Sequence, residues 1–199
     1  MKQYTVAILG ATGAVGTQML ECLNEQEFPI GKLKLLASAR SAGKTVEFRG
    51  EQIVIEEACP EAFEGCDIVL GAAGDDIAKE LLPEAVKRGA VVVDNSHAFR
   101  MDPEVPLVVP EINADHIDII PAQRKRLGTK RGFVAVKSNC SLQSYVPALH
   151  PLRGYGITDV LVCTYQAISG AGKTFETFPD ILDNVIPYIG GEEAVSYTH

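Results

Sequence analysis

Cys140 stands between Asn139 and Ser141, where a loop is expected to give way to a helix. The first turn of a helix favours a thiolate and offers backbone N–H groups to an oxyanion, the setting of an acyl-transfer nucleophile. Of the other four cysteines, Cys22 falls on a predicted helix, Cys59 in a loop, Cys66 just before a strand and Cys163 within one, and free cysteine commonly serves as a small hydrophobe. Five scattered cysteines with no CxxC pair and no zinc-ligand spacing argue against disulfides and against a structural metal.

A second constellation is Gly10-Ala11-Thr12-Gly13-Ala14-Val15-Gly16. It follows an apolar, β-branched stretch at 4–9 and precedes a helix expected at 13–24, with apolar Val15, Met19, Leu20 and Leu23 at helical spacing. In such a turn one glycine makes the bend, one lets backbone approach a pyrophosphate, and one lets helix pack closely on strand. The helix start then presents N–H groups to the phosphates. The spacing Gly-x-x-Gly-x-x-Gly departs from the usual Gly-x-Gly-x-x-Gly, and glycines also punctuate strand–helix turns for purely structural reasons.

The second strand, expected at 33–37, runs into Ser38-Ala39-Arg40-Ser41-Ala42-Gly43-Lys44 in place of the acidic residue that accepts from a ribose 2′-hydroxyl. Arg40 and Lys44 suit a 2′-phosphate, with Ser38 or Ser41 donating. The bland alternative is a basic surface loop; after a nucleotide turn, NADP is favoured. A thiolate beside a nicotinamide points to one chemistry. The thiolate adds to an aldehyde, hydride passes to NADP⁺, and the thioester is cleaved; in reverse, an acyl phosphate acylates the cysteine and NADPH reduces the thioester.

These groups need a scaffold. Strands are expected at 4–9, 33–37, 68–71, 91–94 and 107–109, with 53–56 ambiguous. A helix capped by Asp75 should run through Ala78, Leu81 and Leu82 toward Gly89, with Pro83 awkward inside it. Strands alternating with helices predict an α/β fold, a Rossmann-like doubly wound parallel sheet. The character changes near Lys137. A helix to His150, a turn at 151–154, a strand at 159–165, the glycine turn Ser169-Gly170-Ala171-Gly172 and a helix at 178–188 read as the beginning of an α+β substrate and dimerisation domain. The expected division is 1–139 and 140–199.

Composition sets the outer bounds. The 199 residues are 46% hydrophobic and 22% charged, the balance of an ordinary globular protein. No apolar run approaches the roughly 20 residues of a membrane span, and the start lacks a secretory signal pattern, so a cytoplasmic location is the default expectation. A net charge of −8 disfavours a nucleic-acid partner. The basic cluster Arg124, Lys125, Arg126, Lys130 and Arg131 reads as a solvated loop.

With these stretches in hand, the chain resembles the aspartate-semialdehyde dehydrogenases, in the branch of archaea and fungi, from the first strand to about Glu193. Besides the turn at 10–16 and the segment 36–43, the resemblance rests on Asp94-Asn95-Ser96-His97-Ala98-Phe99-Arg100-Met101, Val109-Pro110-Glu111-Ile112-Asn113, Ser138-Asn139-Cys140-Ser141 and Tyr165-Gln166-Ala167-Ile168-Ser169-Gly170-Ala171-Gly172. It implies Cys140 as the thioester nucleophile, Asn139 at the oxyanion and Gln166 orienting the amino-acid end of the substrate. It implies Arg100, with Asn95, at the phosphate of aspartyl phosphate. NADP would be held by Gly10, Thr12, Gly13, Ala14, Val15, Gly16, Ser38, Arg40, Ser41, Ser169 and Gly170. A guanidinium beyond a strand's carboxyl end suits an acyl phosphate; the alternative is a surface arginine paired with Asp102 or Glu104. For Gln166 the alternative is a polar residue at a strand end.

The implied reaction is reductive dephosphorylation of aspartyl 4-phosphate to aspartate semialdehyde, in biosynthesis of lysine, threonine, methionine and isoleucine. The implied partners are small-molecule substrates and, for the full-length enzyme, a homodimer or homotetramer. Two departures stand out. Ser138 replaces the family's usual proline, and none of His97, His116, His150 or His199 lies in the family's acid/base motif. The tail 194–199 also leaves the pattern, so the chain reads as truncated and these 199 residues alone as nearly inactive. An acyl-CoA reductase of the malonyl-CoA type and a non-catalytic NADP-binding form are the competing readings.

Overall fold

The computed structural model describes residues 2–171 and 173–187. Eight strands form one sheet: β1 (Tyr4–Leu9), β2 (Ile30–Ala37), β3 (Thr45–Phe48), β4 (Glu51–Glu57), β5 (Ile68–Gly71), β6 (Val91–Asp94), β7 (Leu107–Val108) and β8 (Phe133–Lys137). Their order is β3-β4-β2-β1-β5-β6-β8-β7, parallel throughout except for the β3–β4 hairpin. The helices are α1 (Ala14–Glu25), α2 (Asp75–Lys87), α3 (Pro110–Asn113), α4 (Ile120–Leu127) and α5 (Cys140–Leu149). The chain divides into two compact units, the first ending at Ser138 and the second beginning at Asn139.

Alternation along the inner strands builds the first unit's core on both faces of the sheet. Ala7 and Leu9 of β1, Leu36 of β2 and Val69 of β5 pack with Ala78, Leu81, Leu82, Ala85 and Val86 of α2. Val6 and Ile8, with Leu33, Leu35 and Ala37, pack on the opposite face with Leu20 of α1. One helix per face is the doubly wound arrangement expected from the alternation of strands and helices. Pro83 sits inside α2 without ending it. No helix of the described residues is long and apolar enough to cross a membrane.

Several local expectations are corrected. Gly74, not Asp75, is the N-cap of α2; Asp75 is its first residue and its carboxylate accepts the backbone N–H of His97 at 2.9 Å. Arg124 to Arg126 are not loop residues: they form the last turn of α4, which closes on left-handed Gly128. Arg124 is anchored on the Arg131 carbonyl, and Arg126 pairs with Asp102 and Glu104. The ambiguous stretch at 53–56 is part of β4, paired with the unforeseen β3 through a turn at Arg49-Gly50. Arg49 adopts φ 51°, held by bonds from its guanidinium to the carbonyls of Leu23 and Phe28.

In the second unit, residues 159–165 form no strand, and Leu161 and Tyr165 lie exposed. A strand needs a neighbour to satisfy its backbone, and none pairs with it among the described residues. The helix expected at 178–188 is reduced to a 3-10 turn at Pro179–Ile181. Asp183 takes φ 53° and Pro187 follows, and an isolated short helix is unstable in water. The turn at 169–172 is a 3-10 helix at Ile168–Ala171. Gly172, Tyr188, Glu193 and the tail 194–199 lie outside the described residues.

Two polar devices hold the sheet's far half. Gln123, fully buried, donates to the carbonyls of Glu104 and Val134 and accepts the Val134 N–H, standing in for a strand neighbour beside β8. Asp67, just before β5, accepts the Thr5 N–H at 3.0 Å and the Arg131 guanidinium at 2.7 Å. The Thr5 N–H, then Arg131, hold its carboxyl below the usual aspartate range. A carboxyl depressed in the folded state contributes stability above its unfolded pKa and loses it as pH falls through the folded value. Asp67→Asn is therefore expected to lower stability by about 1 kcal/mol at neutral pH. In thermal unfolding at a series of pH values, the gap between the two proteins should close below about pH 4. A gap unchanged down to pH 2 would contradict this role.

Candidate functional site

In a parallel sheet the loops after the strands open along one edge, and ligands sit where successive connections diverge. Here β2 lies on one side of β1 and β5 on the other, so the divergence falls at the exit of β1. That exit is the glycine turn. The N–H groups of Gly10 and Ala11 both bond to the Leu36 carbonyl, at 2.8 and 3.1 Å, while Leu9 accepts the N–H of Ala72. The turn is thus tied to the ends of β2 and β5 together.

The three glycines differ in what the protein itself demands of them. Gly10 has φ +88°, and a Cβ there would meet the Ala72 carbonyl oxygen at 2.7 Å. At Gly16 a Cβ would meet the Gly10 oxygen at 2.3 Å, so α1 could not approach β1. Gly13 is under no such pressure: its Cβ would find only the Gly10 oxygen, at an ordinary 3.5 Å. Thr12, Gly13, Ala14 and Val15 are exposed. Gly13 caps α1 without a side-chain hydrogen bond, and the first turn carries no acidic residue. By contrast α2 begins with Asp75 and Asp76, and α5 is capped by Asn139. The positive end of α1 is left open to a ligand anion.

Beyond β2, Ser38 and Arg40 are exposed, and the Ser41 N–H closes a turn on the Ser38 carbonyl at 2.8 Å. Arg40 enters no ion pair among the described residues. Beyond β6, Arg100 is buried and its Nη2 donates to the Asn95 carbonyl at 2.9 Å. Asp102 and Glu104 pair with Arg126. Asp94 and Ser96, which sequence reasoning misses, are buried beside these residues. Their signal is the run Asp94-Asn95-Ser96 after a strand, a pattern that turns the chain through side-chain to backbone bonds. Burial pushes the Asp94 carboxyl up, while bonds from Ser96 and the charge of Arg100 pull it back.

In the second unit, Cys140 is the exposed first residue of α5. Asn139 caps the helix, its Oδ1 accepting the Leu142 N–H at 2.9 Å. Gln166 donates to the hydroxyl of Ser141, the residue after Cys140, at 2.7 Å and to Thr164 at 3.2 Å. Asn139, Cys140 and Gln166 are therefore gathered around one helix start. Ser169 and Gly170 are exposed on the 3-10 turn. Of the cysteines read as buried hydrophobes, only Cys66 is fully buried, its thiol pushed up by burial; Cys22 and Cys163 are exposed. His97 faces Asp75, His116 Nδ1 sits 2.9 Å from the Leu107 carbonyl oxygen, and His150 meets Arg153. Among the described residues no three His, Cys, Asp or Glu side chains are grouped to hold a metal.

Comparison with known proteins agrees with this geometry. Residues 5–120 match the family model "Semialdehyde dehydrogenase, NAD binding domain". The chain is 50% identical over 170 residues to an aspartate-semialdehyde dehydrogenase of Bacillus subtilis, an alignment spanning 84% of this chain and 46% of that one. Among solved structures it is similar to the Candida albicans enzyme with NADP, at TM-score 0.76 and 35% identity, covering 96% of this chain and 57% of that one. It is also similar to aspartate semialdehyde dehydrogenase II of Vibrio cholerae complexed with ASA, at TM-score 0.69 and 40% identity, covering 77% and 47%. The chain spans about half the length of the curated relatives it matches. With the glycine turn, the open helix start and the match over 5–120 in agreement, the chain belongs to the semialdehyde dehydrogenase family.

Proposed function

We propose that this chain is the nucleotide-binding and nucleophile-bearing part of an NADP-dependent aspartate-semialdehyde dehydrogenase, acting on aspartyl 4-phosphate. The observation that carries the reading is Gly13. The protein's own packing would admit a side chain there, so its glycine is explained by a ligand at the open start of α1. Backbone N–H groups of residues 14–16 would bind the pyrophosphate, and Arg40 with Ser38 and Ser41 would bind the 2′-phosphate. Ser169 and Gly170 complete the cofactor contacts by family resemblance. When bound, NADPH supplies the hydride that reduces the acyl group.

The chain's own groups do the rest. The Cys140 thiolate attacks the carbonyl carbon of the acyl phosphate, a C–S bond forms, and the C–O bond to phosphate breaks. N–H groups at the start of α5, with Asn139, stabilise the oxyanion. Phosphate leaves against Arg100 and Asn95, and Gln166 orients the amino-acid end of the substrate. Division of labour between a cofactor-binding unit and a substrate unit, a cytoplasmic location and assembly as a homodimer or homotetramer belong to the same proposal. Family resemblance supports them.

Titration of NADPH fluorescence tests the cofactor site. The chain should bind NADPH, and Gly13→Glu, which sets a carboxylate against the pyrophosphate, should abolish binding. Arg40→Ala should weaken NADPH more than about 10-fold while changing NADH less than about 2-fold. Failure of the unaltered chain to bind, or equal losses for both nucleotides, would count against it. For the thiol, Cys22 and Cys163 are controls because they are exposed as Cys140 is. Iodoacetamide followed by peptide mass mapping should modify Cys140 about 10-fold faster than either. Equal rates would remove its assignment as nucleophile.

A further inference from the structure

The direction in which Arg100 points depends on a carbonyl group, and that carbonyl is set by a buried acid–hydroxyl pair. Asp94 ends β6 with no exposed surface. Its Oδ1 accepts the Ser96 N–H at 3.1 Å and its Oδ2 accepts the Ser96 hydroxyl at 2.5 Å. The same Ser96 oxygen then accepts the N–H of Ala98 at 3.1 Å. Asn95, between the two, gives its own N–H to the Gly71 carbonyl at 3.0 Å. Its carbonyl is left turned toward Arg100, whose Nη2 it accepts at 2.9 Å.

The carboxylate has a place made for it. A side chain at residue 71 would put its Cβ 2.5 Å from Asp94 Oδ1, so the end of β5 carries glycine where the Asp94 carboxylate crosses it. His97, next along, is fixed from another direction, its N–H on Asp75 at the start of α2. Every residue from 94 to 98 thus has a defined bond, and all but one of these bonds trace to Asp94, Ser96 or the β5 end. A guanidinium on a loop without these ties would sample many directions, and a shift of about 1 Å in a binding group costs orders of magnitude in effect.

We propose that Asp94 and Ser96 are positioning residues for phosphate recognition. They touch no phosphate themselves, but fix the Asn95 carbonyl and through it the guanidinium plane that Arg100 offers to the phosphoryl group. This rests on the proposed role of Arg100 as the phosphate-binding residue.

The test uses the 199-residue chain saturated with NADPH and inorganic phosphate as probe, with phosphate affinity taken from ³¹P line broadening. Arg100→Ala should weaken phosphate at least about 10-fold; unchanged binding, or no saturable binding by the unaltered chain, overturns the role of Arg100 and this inference together. Ser96→Ala should weaken phosphate about 10-fold and leave NADPH affinity within about 2-fold. Loss in Arg100→Ala with no loss in Ser96→Ala overturns the inference alone. Equal loss of phosphate and NADPH in Ser96→Ala also overturns it, since a merely structural serine would act on both. Asp94→Asn should repeat the phosphate-selective loss; if that variant does not fold, Ser96→Ala decides.

Discussion

The exit of β1 is the point on which the rest of the first unit turns. The chain must leave a strand whose last four residues are buried, pass between the ends of β2 and β5, and begin a helix, all within a few residues. It does so by giving two N–H groups to the Leu36 carbonyl and adopting a left-handed bend at Gly10, against the Ala72 carbonyl. Gly16 then lets α1 lie on the strand it has just left. Any side chain at 10 or 16 would collide with backbone, which cannot move aside without opening the sheet. That steric demand brings the loops after β1, β2 and β5 together at one edge.

The constraint produces an edge lined with polar groups suited to anions. The start of α1 has neither a capping side chain nor an acid to satisfy it, and Arg40 stands after β2 without an ion pair among the described residues. Further along the same edge, Arg100 is buried and directed by the Asn95 carbonyl. In the second unit the start of α5 gathers Asn139, Cys140, Ser141 and Gln166 by two hydrogen bonds. Helix starts and directed guanidinium groups are what a phosphate-bearing cofactor and an acyl phosphate require.

Where sequence patterning is strong, it reads correctly: the apolar runs at 4–9, 68–71 and 91–94 are strands, and the glycine turn follows the first of them. Cys140 at a helix start is legible because Asn139 is a good N-cap and apolar residues follow. The β3–β4 hairpin is not, since its turn uses Arg49 at positive φ in place of asparagine or aspartate. β8 escapes because Gly132 and charged neighbours obscure a five-residue run, and Gln123, a polar residue, completes its bonding. The strand expected at 159–165 rests on a real apolar pattern, but pattern alone does not supply the neighbour a strand needs. Ser96 is passed over because a serine in a polar loop carries no sign of burial in its sequence.

On the proposed function, the turn at 10–16 and the segment after β2 hold NADP. Amide chemical-shift mapping by NMR during titration of the ¹⁵N-labelled chain with NADP⁺ tests it most directly. Saturable shifts are expected, largest at Ala11 to Val15 and at Ser38 to Ser41, with the Arg40 side-chain signal moving with them. Saturable shifts confined to other loops, with residues 11–15 unmoved, would contradict it.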